Sequence, residues 1–118
     1  MNRFLHEILE SLPDIVMAVE DFEIVQKETV VKQKVKIRLF DGSMLWVREI
    51  YVGDAMAAYS YYWLRPDGSL LIGWDNAPHH DEIDTYPHHK HLAGRVEASE
   101  ERNLRDVLNF IQQFFDGG

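Results

Sequence analysis

The chain contains no cysteine, which excludes disulfides and thiolate metal ligands. It also lacks any apolar run approaching the ~20 residues that a bilayer-spanning helix needs. The opening residues, Met1-Asn2-Arg3-Phe4-Leu5-His6-Glu7, turn acidic where a secretory signal would continue apolar. A soluble protein acting in the cytoplasm, with no membrane contact, is the expectation. Positive charge is scarce, with 12 Lys and Arg against 20 Asp and Glu and a formal net charge of −8, which argues against a generally basic nucleic-acid binder. Repeats, linkers and low-complexity tracts are absent. A chain of 118 residues with 46% hydrophobic composition suits one domain with a single core, spanning residues 1–118.

What is present divides by periodicity. Phe4, Leu5, Ile8, Leu9 and Leu12 recur at helical spacing up to Pro13, predicting an amphipathic helix over residues 2–12. Residues 14–19 suit either a second short helix or an apolar lead into a sheet. From Phe22 the period becomes two, which one long bent strand or two consecutive strands would explain. Val31, Val35, Ile37 and Leu39 then share one face, leaving Lys32, Lys34, Lys36 and Arg38 on the other. This is the one locally basic stretch of the chain. Such a stripe is the ordinary solvent face of a strand, and it also allows local contact with phosphate, while the charge distribution as a whole suits docking against a basic protein partner.

Asp41-Gly42 signals a tight hairpin. A two-residue loop there would pair Phe40 with Ser43, Lys34 with Glu49 and Lys36 with Val47. Further strands are expected over Met44 to Val52, Tyr59 to Leu64 and Leu70 to Trp74. They are joined by a connection at Gly53 to Ala57 and by a type I turn with a glycine bulge at Arg65-Pro66-Asp67-Gly68-Ser69. Ser99, followed by Glu100 and Glu101, reads as the N-cap of a final helix whose apolar face is Leu104, Val107, Leu108, Ile111 and Phe115. Gly117 stops it. The expected fold is α+β, an antiparallel meander sheet of four or five strands with an N-terminal and a C-terminal helix packed on one face.

Between the last predicted strand and that helix lie five of the six histidines: His79, His80, His88, His89 and His91. Imidazole changes charge near neutral pH, so such a group can exchange protons, ligate a metal or bind an anion. Pro78 and Pro87 exclude a regular helix and give the loop a shaped path.

The runs Trp74-Asp75-Asn76-Ala77-Pro78-His79-His80 and Thr85-Tyr86-Pro87-His88-His89-Lys90-His91 resemble the signature of the TumE family, toxins of bacterial and archaeal toxin–antitoxin pairs. The resemblance extends through Asp41-Gly42-Ser43, Arg48-Glu49 and the strand from Tyr59 to Trp63, covering about residues 35–95. It implies action in the cytoplasm and a cognate antitoxin partner, typically a DNA-binding protein. It assigns no catalytic residue.

From the residues themselves, the sharpest chemistry is a metal-independent ribonuclease. One histidine would take the ribose 2′-hydroxyl proton and another would protonate the leaving oxygen. The candidates are His79 or His80 with His88, His89 or His91. Lys36, Arg38 and Lys90 would hold phosphate, and Tyr61, Trp63 or Trp74 would stack an unpaired base. This chemistry requires no cofactor. A histidine-rich metal site is the second reading, because Asp75, Asp81, Glu82 and Asp84 lie near; no His-Glu-x-x-His spacing supports it. A third is a non-catalytic module that binds protein or nucleic acid and dimerises through an open sheet face.

Overall fold

The computed structural model describes residues 14–117; the helix expected over residues 2–12 lies outside them. The described chain forms one antiparallel sheet in which every strand pairs with its sequence neighbour, in the order β1-β2-β3-β4-β5-β6-β7. The strands are β1 (Val16–Lys27), β2 (Val30–Leu39), β3 (Met44–Val52), β4 (Ala55–Leu64), β5 (Leu70–Asp75), β6 (His89–Leu92) and β7 (Arg95–Ala98). One helix, α1 (Leu104–Gly117), follows. The expected meander is present, but with seven strands in place of four or five, and Leu70 to Trp74 is not its last strand.

Residues 16–27 are a strand, which decides between the two readings of that region. Glu28-Thr29 closes the first hairpin, with Lys27 opposite Val30 and Glu28 at a φ of 58°. A second positive φ, 51° at Asp21, marks the bulge where the β1–β2 register shifts.

At Asp41-Gly42 the loop is one residue longer than expected. Leu39 N–H donates to Ser43 O (2.9 Å) and Gly42 N–H to Leu39 O (3.0 Å), enclosing three residues with Gly42 at a φ of 88°. Asp41 Oδ1 accepts from the Ser43 amide at 2.9 Å. Asp67-Gly68-Ser69 repeats this arrangement, with Arg65 N–H on Ser69 O and Gly68 N–H on Arg65 O, both at 2.8 Å. The bulged turn predicted at Arg65–Ser69 is therefore present. The extra residue at the earlier hairpin slips its register by one, so Lys34 faces Arg48 and Lys36 faces Trp46. Glu49 pairs with Gln33 and is buried, accepting from Tyr61 O–H (2.5 Å) and Tyr51 O–H (3.2 Å).

The two faces of the sheet differ. Val35, Ile37, Leu39, Leu45, Val47, Tyr61, Trp63 and Trp74 form the core with Leu104, Val107, Leu108 and Ile111 of α1. Edge-to-face contacts of Trp63 with Phe110, Phe114 and Phe115, and of Trp74 with Phe110, seat the helix. Helix α1 starts later than Ser99 suggested, because Asn103 is its N-cap. Asp106 N–H donates to Asn103 Oδ1 (2.8 Å) and Asn103 N–H to Asp106 Oδ2 (3.1 Å), a reciprocal capping pair. The Ser99 amide instead donates to Thr85 Oγ1 (2.9 Å), tying down the histidine loop. Side chains that alternate away from the core lie on the opposite face, and there the loop's chemistry gathers.

Candidate functional site

Strand alternation builds the site. Trp74 points into the core, so Gly73 and Asp75 on either side of it point to the opposite face. Asp75 pairs with His89 and Gly73 with His91, which brings both histidines to that face. Tyr62, opposite Gly73 on β4, completes the group.

The Asp75 carboxylate is the hub, with a side chain only 7% exposed. Its Oδ1 lies 2.8 Å from His89 Nε2 and accepts from Ala77 N–H at 3.0 Å. Its Oδ2 lies 3.0 Å from His91 Nε2 and accepts from Tyr62 O–H at 2.8 Å. The two Nε2 atoms are 3.1 Å apart. His89 Nδ1 is 2.9 Å from the Pro87 carbonyl, which can only accept, so the Nδ1–H of His89 is fixed there. From the loop, His80 adds a third ring, with centroids 5.0 Å from His89 and 5.9 Å from His91. His80 Nδ1 is also 3.3 Å from Glu82, whose carboxyl is held below its ordinary value by its own backbone amide and then by His80. The exposures set the roles apart, at 2% for the His89 side chain, 27% for His91 and 31% for His80.

The remaining histidines go elsewhere. His88 stacks on Tyr59, with Nδ1 2.9 Å from its hydroxyl, and that hydroxyl accepts from Arg102 N–H. His79 is exposed and contributes a backbone bond to Ala77 O. Three of the five expected histidines therefore converge.

The cluster borders a concavity of about 460 Å³ lined by Arg48, Ser60, Tyr62, Asp75 and Asn76. Beyond Arg48 and Tyr62 it continues into a second, of about 750 Å³, bounded by Lys34, Lys36 and Trp46. Lys36 lies 4.4 Å from the Trp46 ring centroid and 3.6 Å from Asp21. Arg38 pairs with Glu20 at 3.0 Å. Lys90 pairs with Trp74, so alternation carries it to the other face, where Glu97 lies 3.9 Å away. Tyr61, Trp63 and Trp74 are buried in the core and have no ring face to offer a base. Tyr61 donates to Glu49, and Trp63 Nε1–H donates to Ser43 Oγ at 3.0 Å. Sequence reasoning missed Arg48, Tyr62 and the central role of Asp75. Alternation from Tyr61 to Tyr62 and from Trp74 to Asp75 carried that signal.

The family model described as Toxin TumE matches residues 5–115. The chain belongs to the TumE toxin family. Membership of this toxin family implies a cognate antitoxin. Comparison with curated proteins and with solved structures gives no match. Among the described residues, no helix of this TumE family member is long and apolar enough to cross a membrane.

The buried and half-buried tyrosines of this TumE family member predict a pH dependence. Burial, then the bond to Asp75, raises Tyr62 from an ordinary 10.0 to about 12; burial raises Tyr59 to about 12 and Tyr61 further, Tyr61 also under the influence of Glu49. The folded state holds these protons above the unfolded value. Their stabilisation is thus complete below about pH 10 and lost as pH rises toward about 12. Thermal melts over that range are expected to show falling midpoints, with tyrosinate absorbance from these residues appearing together with unfolding. Ionisation of all three near pH 10 in the folded protein would contradict this.

Proposed function

We propose that the chain is the toxin of a toxin–antitoxin pair and acts on RNA in the cytoplasm as a small histidine-dependent ribonuclease, restrained by a DNA-binding antitoxin. The observation that supports this reading is the convergence of His80, His89 and His91 on Asp75 beside a concavity holding Arg48, Lys34 and Lys36. Lys34 and Arg48 sit directly opposite each other, and neither makes an ion pair among the described residues. Like charges in that position repel, and a bound phosphate would relieve the repulsion.

On this reading the two accessible imidazoles, His80 and His91, transfer the protons. One accepts the 2′-hydroxyl proton as that oxygen attacks phosphorus; the other donates to the leaving 5′-oxygen. His89 and Asp75, both buried, position His91. Arg48 with the two lysines neutralises the phosphate, whose charge grows in the transition state.

General acid–base groups typically contribute about 10²–10⁴ in rate, so His80→Ala or His91→Ala is expected to lower RNA cleavage by about that factor. Both are also expected to abolish growth arrest on induced expression in a bacterial host, while His79→Ala retains it. Folding is checked by circular dichroism, and cleavage by sequencing new RNA ends. Arrest by folded His80→Ala/His91→Ala protein would move the activity off this cluster. Absence of arrest and of cleavage by the wild type would favour the non-catalytic interaction module.

A further inference from the structure

The cluster presents an accounting problem in lone pairs. Asp75 Oδ1 lies 2.8 Å from His89 Nε2, Asp75 Oδ2 lies 3.0 Å from His91 Nε2, and the two nitrogens are 3.1 Å apart. With the Nδ1–H of His89 turned to the Pro87 carbonyl, the neutral ring presents a lone pair at Nε2. Asp75 Oδ1 and that lone pair, two acceptors 2.8 Å apart, require a proton or a cation between them.

We propose that His80, His89, His91 and Asp75 form a binding site for a divalent transition-metal ion of the zinc class. Ligand atoms about 2.0–2.1 Å from a tetrahedral ion lie about 3.3 Å from one another, close to the spacings found here. One nitrogen from each of the three histidines falls within a 4.8 Å span, so His80 needs only a modest side-chain shift to close on the other two. His89 and His91 alternate on β6 and present their rings to the same face, giving two ligands from one rigid strand. Ligand orientation is already fixed from behind. The Pro87 carbonyl holds His89, while Tyr62 O–H and Ala77 N–H hold Asp75, as the outer shell of a metal site does. Imidazole with carboxylate and no sulfur suits zinc, nickel or copper better than magnesium or calcium.

The ligands include the groups assigned above to proton transfer, so this part of the inference rests on that reading. An imidazole nitrogen bound to a metal has no lone pair for a proton. The metal-loaded protein is therefore the inactive form.

The test is titration of the chelator-treated full chain with Zn²⁺ by calorimetry, with thermal melts alongside. One ion per chain is expected, together with a rise in melting temperature. Binding is expected to weaken at least about a hundredfold in His91→Ala and His80→Ala, and about tenfold in Tyr62→Phe, the range for loss of an outer-shell bond. His79→Ala should bind as the wild type does. Loss of affinity counts only for variants whose circular dichroism matches the wild type. Weak binding of several ions, or affinity undiminished in folded His80→Ala/His91→Ala protein, would show adventitious ion binding only and overturn the site. RNA cleavage in chelator that one equivalent of Zn²⁺ abolishes would support the exclusion, and cleavage only when zinc is bound would overturn it. Cleavage in neither state would remove the ribonuclease reading and the proposed inhibition, leaving the metal site to the titration.

Discussion

Asp75→Ala is expected to cost about 3–5 kcal/mol of folding stability, because it strips the partner from several polar groups at once and each one left buried and unsatisfied costs about 1–3 kcal/mol. The carboxylate touches His89, His91, Tyr62 and the Ala77 amide at once. His89 is almost wholly buried, so water cannot readily replace what it loses. Tyr62, half-buried, loses the acceptor for its hydroxyl. Urea denaturation of metal-free wild type and variant, compared at pH 7, should show a lower midpoint with an unchanged slope. Asp75→Asn retains one acceptor oxygen but turns an N–H₂ toward donor groups, so it should fall between the two. A loss below about 1 kcal/mol for the alanine variant would mean that the histidines satisfy one another without the carboxylate, against its place as the hub.

The second large effect comes from a residue with no side chain. A Cβ built on Gly73 would lie 2.4 Å from Tyr62 Cδ1 and 2.6 Å from Cε1, distances no real contact sustains. The ring packs against the glycine of the neighbouring strand, and the same side chain sets its hydroxyl on Asp75. Gly73→Ala must therefore displace either the ring or the backbone of β5, and overpacking of this kind costs about 1–3 kcal/mol. Gly73→Val should cost more. If the clash is the cause, Gly73→Ala introduced into a Tyr62→Ala background should cost almost nothing, and the double-mutant cycle should return a coupling of about 1–3 kcal/mol. Equal costs in both backgrounds would place the penalty in the β5 backbone and remove Tyr62 from the explanation.

Two copies of one tripeptide show how much of the fold the sequence disclosed. Asp41-Gly42-Ser43 and Asp67-Gly68-Ser69 fold into the same three-residue loop, each with its aspartate accepting from the serine amide. The proline at position 66 made the second recognisable as a bulged turn, whereas the first looked like a two-residue turn. One residue of loop length then moved Lys34 from Glu49 to Arg48. Strand β2 was legible because its alternation runs for many residues, and β3 to β5 because turn signals bracket them, although β4 begins at Ala55 inside the expected connection and not at Tyr59. Strands β6 and β7 have four residues each, too few for a period to appear, and three of the four in β6 are polar residues whose chemistry masked their pairing. In the same way, the histidine concentration was visible from composition alone. The choice of three from five was not, because it depends on β6 existing and on its register with β5. Asp75 looked like one of four carboxylates near the histidines until its neighbour Trp74 was seen to face the core.

The pairing of each strand with its immediate predecessor bears on how the protein comes into being. Among the described residues no strand waits for a distant segment before it can join the sheet, so closing each hairpin costs little chain entropy and assembly can proceed strand by strand. During synthesis, β4 to β6 leave the ribosome ahead of α1. The histidine cluster is thus encoded before the helix that covers the opposite side of the sheet, and the nascent chain carries every residue of that cluster before its core is sealed.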